Sequence, residues 1–157
     1  MTSVDIGIKE NARKAVASAL NHTLADTYSL YMKTHAYHWN VTGPQFHTLH
    51  VMFEEQYNEM WTALDELAER VRALGEFAPT SGKQFADLSA IENADTSPPK
   101  SEAMVERLLT DHETLIKRAR EGLSTAEESD DAASADILTV RIQTHEKTAW
   151  MLRSMTQ

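Results

Sequence analysis

Four of the seven histidines fall within residues 35–50: His35, His38, His47 and His50. A neutral imidazole is a common metal ligand, and carboxylates are its usual companions around hard cations. One histidine on an apolar stripe is more often a satisfied core residue. Several of them beside Glu54 favour a metal site instead. Asp65 and Glu69 stand four apart, a spacing that puts both on one side of a helix. Such a pair alone marks an ordinary solvated face. Glu54, however, precedes Asp65 by eleven residues, close to a whole number of helical turns, so all three acids share a side. The chain contains no cysteine, which removes thiolate ligands, disulfides and cysteine nucleophiles. The remaining donors suit iron, manganese or zinc better than copper(I).

Helices must position these groups, because the apolar pattern is helical along most of the chain. A first helix is expected from about Lys9 to Trp39, with Val16, Leu20, Leu24, Tyr31, His35 and His38 on one stripe. Thr42-Gly43-Pro44 ends it, since proline cannot continue the hydrogen-bond ladder. A second helix is expected from about Gln45 to Leu74. His50, Phe53, Tyr57, Met60, Leu64, Leu67, Val71 and Leu74 follow 3,4 spacing along it, the pattern of a packing seam. Residues 76–100 form a long connection with Pro79, Gly82, Pro98 and Pro99, in which Phe85, Leu88 and Ile91 suggest a short extra helix. A third long helix starts near Ser101, read as its N-cap, with Val105, Leu108, His112, Leu115 and Ala119 facing the core. Glu127–Ala135 reads as an acidic linker. The last helix then carries Leu138, Ile142, His145, Ala149 and Leu152. The expected fold is all-α, with one domain over 1–157. It is a four-helix bundle with ferritin-like connectivity and a short extra helix in the long crossover.

Length decides how the candidate ligands can meet. His50 and Asp65 lie on one continuous helix, about 22 Å apart along its axis. Metal–ligand bonds are only about 2 Å long, so one ion cannot bind both in the same chain. Either the two groups are unrelated, or two copies pack antiparallel about a two-fold axis and each supplies half of a site. An ordinary ferritin-like bundle builds its di-iron site within one chain from Glu-x-x-His pairs. None of the seven histidines has Glu three residues before it, which favours the shared site.

The stretch His38-Trp39-Asn40-Val41-Thr42-Gly43, with Phe46 and His50, then Asp65-Glu66-Leu67-Ala68-Glu69-Arg70, resembles the Dps family of mini-ferritins. Asp136-Ile137-Leu138-Thr139 and His145-Glu146-Lys147-Thr148-Ala149-Trp150-Met151 extend the resemblance across nearly the whole chain. The resemblance implies a dodecameric shell whose iron site lies at the two-fold interface. His38 and His50 would come from one subunit, and Asp65 and Glu69 from its neighbour. The implied activity is that of a ferroxidase. It oxidises Fe(II), with hydrogen peroxide as the usual oxidant and oxygen the other, and stores ferric mineral that keeps iron from damaging DNA. Where the family usually has Asp, this chain has Glu54, whose extra methylene bears on a second iron position. Trp39, beside a ligand, would either quench oxidising radicals or fill the interface. Acidic residues where the last helix begins line three-fold pores in the family, which nominates Asp131 and Asp136. As a bare pattern, the same cluster is a solvated linker that complements the helix dipole.

The net charge of −9 suits a protein that attracts cations and argues against a nucleic-acid surface. DNA compaction, a role of many family members, often uses a lysine-rich tail. Here the segment before the first helix holds Asp5 and only Lys9, so direct DNA binding is doubtful. No apolar run resembles a signal peptide or a membrane span, and the expected location is the cytoplasm.

Overall fold

The computed structural model describes residues 4–157. Residues 1–3, part of the segment read for a tail and a signal peptide, lie outside the described residues. Five helices follow one another: α1 (Glu10–Asn40), α2 (Phe46–Ala73), α3 (Gly82–Leu88), α4 (Ser101–Glu128) and α5 (Ala132–Ser154). No strand occurs among the described residues. The architecture is the expected all-α bundle of four long helices with α3 in the crossover.

Each helix buries the stripe that its sequence period marks out. Leu20, Leu24, Leu30, Phe53, Met60, Leu67, Leu108, Leu115, Leu138 and Leu152 form the centre of the core, each 2% exposed or less. Burying one such side chain contributes roughly 1.5–3 kcal/mol, which outweighs the modest helix propensity of any single position. α1 packs along α2 and α4, and α4 along α5. The fourth side, between α2 and α5, is more open and leaves a groove lined by His47, Glu55, Gln56, Glu59, Thr144 and Thr148.

The α1–α2 turn depends on Gly43, whose φ of +105° is unfavourable for any residue with a Cβ. Gly75, at φ +92°, closes α2 against the chain start; a Cβ there would sit 2.9 Å from Val4 Cγ2. The crossover is pinned by the fully buried Asp26. Its Oδ1 accepts from Ala90 N at 2.7 Å, from Ser89 Oγ at 3.1 Å and from Arg118 Nη1 at 3.3 Å. Burial pushes this carboxyl upward, while those donors and the Arg118 charge oppose the shift. Two further ion pairs join helices across the bundle: Lys33 Nζ to Asp111 Oδ2 at 2.6 Å, and Arg141 to Glu59.

Several boundaries differ from the sequence-based expectation. Lys100 rather than Ser101 is the N-cap of α4, and Ser101 is its buried first residue. Ile91 lies beyond α3 but is buried in the core. The expected linker at 127–135 is mostly helix: only Ser129, Asp130 and Asp131 separate α4 from α5. Asp130 reverses the chain at φ +54°, which aspartate tolerates better than most residues. Asp131 then caps α5. Acidic side chains were read as a loop, although here they complete two helix ends.

Candidate functional site

His38 lies in the last turn of α1 and His50 in the second turn of α2, so the tight connection brings them together. Their rings stack with centroids 3.8 Å apart and planes 16° from parallel. The hydrogen bonding is reciprocal. His38 Nδ1 donates to the His50 carbonyl at 2.7 Å, and His50 Nδ1 donates to the His38 carbonyl at 2.8 Å. The latter carbonyl belongs to the final turn of α1, where carbonyls lack helical partners. Carbonyls cannot donate, so each Nδ1 carries a proton, and in the neutral ring the lone pair is then on Nε2. Two imidazoles with fixed tautomers thus present two bare nitrogens, the second-sphere arrangement that orients histidine metal ligands.

Around this pair lies an aromatic wall. His35, one turn before His38, stacks on Tyr57 at 3.8 Å and meets the Trp39 ring at 4.1 Å with the planes tilted by 36°. Its Nδ1 is 3.2 Å from Tyr31 Oη. Burial and the nearby His38 hold the His35 imidazole below its ordinary value, and burial pushes the Tyr31 phenol up, so both are neutral near pH 7. Phe46 covers His50 from the other side, with centroids 5.1 Å apart. Sequence reading placed His35 on the core stripe but missed this wall, because stacking depends on the α1–α2 packing angle.

The carboxylates lie along one side of α2, Glu54 about three turns before Asp65 and Glu69 one turn after it. Glu54 is exposed and one turn beyond His50. Asp65 and Glu69 are exposed further along, with no ion pair or side-chain hydrogen bond among the described residues. The 28 residues of α2 form one helix, which preserves the separation of about 22 Å between His50 and Asp65. Accordingly, no group of three or more His, Asp or Glu able to hold a metal occurs among the described residues of one chain. Exposed apolar side chains stand near these groups on both helices, Trp61 on α2 and Met32 and Trp39 on α1. Trp61 is 62% exposed, Trp39 61% and Met32 41%, and a cleft beside Asp65 is lined by Tyr28, Trp61, Leu64 and Phe85. Exposed aromatic surface of this kind marks an interaction face. His47, counted with the other histidines in sequence, instead lines the α2–α5 groove.

At the start of α5, the two acidic candidates separate. Asp131 is 2% exposed. Its Oδ1 accepts from Ser134 N at 3.0 Å and Arg70 Nη2 at 2.7 Å, and its Oδ2 from Ser134 Oγ at 2.6 Å. That is a capping role, in which Arg70 is a partner that sequence reading did not anticipate. Asp136 is exposed and shares a shallow cleft with Glu127 and Asp130.

Residues 17–157 match the family model for the ferritin-like domain. The DNA protection during starvation protein 2 of Bacillus anthracis is 40% identical over 141 residues, covering 90% of this chain and 96% of that protein. The chain belongs to the Dps family. The Dps structure from Vibrio cholerae superposes with a TM-score of 0.93 at 30% identity, covering 100% of this chain and 98% of that one. The Bacillus brevis Dps gives 0.90 at 35% identity, covering 96% and 100%. Membership of the Dps family supports a general role in iron handling and oxidative stress. No helix of the described residues is long and apolar enough to cross a membrane.

Proposed function

We propose that this Dps family member oxidises Fe(II) at a site completed only when two copies pack antiparallel, and stores the ferric product inside a closed shell. The observation that carries this reading is the His38–His50 pair. Its two bare Nε2 atoms need further ligands, and the chain's own Asp65 and Glu69 are too far along α2 to supply them. In the proposed dimer the partner subunit's Asp65 and Glu69 come to the imidazoles of the first chain, and the exposed aromatic face between them is buried. The two-fold axis makes a second identical site.

Each ligand has a task. The imidazoles hold incoming Fe(II), and the carboxylates favour the harder Fe(III) once it forms. Glu54, one turn from His50, is placed to bind a second iron near the first. With two irons, hydrogen peroxide takes one electron from each and leaves as water, so no hydroxyl radical is freed. Oxygen is the alternative oxidant. Ferric ions then hydrolyse and mineralise in the interior of what we take to be a dodecamer of one-domain subunits. Removing reactive iron in this way protects DNA. Asp136 is the better candidate for a ring of carboxylates that draws cations through a pore, since its side chain is exposed. Asp131, buried against Arg70 and Ser134, would shape such a pore rather than line it. DNA compaction as the main role is disfavoured by the −9 charge of each chain.

The test is the mass of the purified particle together with its Fe(II) oxidation rate under peroxide and under oxygen. A multimeric particle that oxidises iron faster than buffer supports the proposal. An assembled particle no faster than buffer under either oxidant refutes it.

A further inference from the structure

The bundle core holds a polar layer that the proposed iron site does not use. His112 of α4 and His145 of α5 are each 1% exposed, and their Nδ1 atoms lie 2.9 Å apart. The ring centroids are 5.0 Å apart, so the two nitrogen edges point at each other across the α4–α5 seam. One N–H···N bond joins the rings. With both rings neutral, one Nε2 keeps a proton and the other a lone pair. Both Nε2 atoms are buried without a partner among the described residues, and so are both amide atoms of Gln56. Gln56 lies at the same level of the bundle. It is ten residues past Phe46, as His112 is eleven past Ser101. Both helices start at one end, where a Cβ on Gly43 would stand 3.9 Å from Ser101 Oγ. Arg141 and Glu59 join α5 to α2 one turn away. Buried polar groups are normally paired, so idle atoms gathered at one level call for an occupant.

We propose that His112 and His145 bind one closed-shell monovalent cation, Cu(I), in line between their Nδ1 atoms, with Gln56 holding an imidazole from behind. Three features select this ion. The nitrogens meet head-on, which suits linear two-coordinate binding and neither the tetrahedron of zinc nor the octahedron of harder ions. No third His, Asp or Glu joins the pair among the described residues, and Arg141 is already matched by Glu59. The cost of taking an ion out of water rises steeply with its charge, so a divalent ion without an anionic ligand is disfavoured there. The approach is soft as well: Gln56 also lines the α2–α5 groove, where Met52 and Met151 offer thioethers and His47 an imidazole. Burial keeps both imidazoles neutral at pH 7, so protons do not compete for the lone pairs. On loading, the shared proton leaves Nδ1 and the bare Nε2 of the same ring gains one. The pair stays neutral, and no net proton is released. Gln56 Oε1 is then an acceptor for an Nε2–H. Bonds near 2 Å set in-line nitrogens about 4 Å apart, so the rings must part by about 1 Å. Bundle cores are common places for such sites, built from side chains on facing helices. The proposal does not rest on the iron chemistry above.

The experiment titrates the assembled protein with Cu(I) held by bicinchoninate, without oxygen. The parent protein carries His38→Ala and His50→Ala, so that the other imidazole pair cannot compete. One Cu(I) per chain is expected to leave the chelator, and X-ray absorption should show two-coordinate copper with nitrogen neighbours only. Adding His112→Leu and His145→Leu should abolish that uptake. Gln56→Leu should weaken it roughly tenfold to a hundredfold, the usual cost of losing an outer-shell partner. Met52→Leu with Met151→Leu should slow loading and leave the affinity unchanged. No uptake by the parent overturns the inference, and so does uptake that survives the loss of both buried imidazoles. Sulfur neighbours or a higher coordination number in the absorption spectrum would put the ion in the groove and overturn it too. If the leucine variant does not assemble, the parent's spectrum and the Gln56→Leu titration decide: an affinity indifferent to Gln56→Leu then refutes the site.

Discussion

Two variants separate a shared site from an intrachain one: His38→Ala with His50→Ala, and Asp65→Ala with Glu69→Ala. Each should be nearly inactive alone, because every interfacial site then lacks half its ligands. The distances make the mixing result sharp. His50 and Asp65 of one chain stay about 22 Å apart on the unbroken α2, so no relaxation of one subunit can join them. Co-assembly in equal amounts gives mixed dimers for about half of all pairings. Each mixed dimer holds one site with no ligands and one fully intact, so roughly a quarter of wild-type activity per subunit should return. The assay is Fe(II) oxidation on particles checked by size, after unfolding and refolding the mixture together to randomise the chains. Recovery near zero in shells shown to contain both variants would refute the interchain site. Asp65 and Glu69 are exposed, which limits the risk that misfolding explains inactivity of that variant; His38 is buried and His50 half-buried, and circular dichroism checks the fold of the histidine variant.

Other expectations concern the termini of α5, the core and the surface. Asp131→Ala removes an N-cap and strands Arg70, and should lower stability by roughly 2–4 kcal/mol in thermal or denaturant unfolding, whereas a loss under 0.5 would show that the cap is dispensable. Asp136→Asn should slow iron uptake at limiting iron without changing that stability; an unchanged uptake rate would return this residue to the role of a solvated helix start. Deep in the bundle, His112 Nδ1 and His145 Nδ1 share one proton at 2.9 Å, and burial lowers the His112 imidazole to about 3 and His145 well below its usual value. Both are neutral when folded and bind protons below about 6.5 when unfolded, so their contribution is full above that pH and is lost as pH falls toward 3. His112→Leu with His145→Leu should therefore flatten the acid-unfolding profile, and an unaltered profile would show that other groups govern it. Finally, the protein should not retard duplex DNA at neutral pH; a complex stable at about 150 mM salt would contradict the electrostatic argument.

Much of the bundle is legible in sequence because burial along a helix is a local, periodic property. Val105, Leu108, His112, Leu115 and Ala119 recur at 3,4 spacing, and each is buried. The separation of His50 from Asp65 is equally local, since helix rise per residue is constant, and it already excluded an intrachain site. Charge misled in one place. Glu127, Glu128 and Asp130 were read as a linker, but helix ends accept acids wherever the backbone turns.

Residue types, spacing and the resemblance they carry were enough to point to helices, to candidate ligands and to the Dps family. Tertiary structure decided which groups touch and through which atoms. Only packing of α1 against α2 ties each His38 and His50 Nδ1 to a carbonyl and leaves Nε2 bare, turns His47 into a different groove, and seats Tyr31 against His35. Only the approach of α2 to the start of α5 gives Arg70 to Asp131 and removes that acid from solvent. These are contacts between residues distant in sequence, set by helix crossing and side-chain rotamers, and periodicity along a single helix carries no information about either.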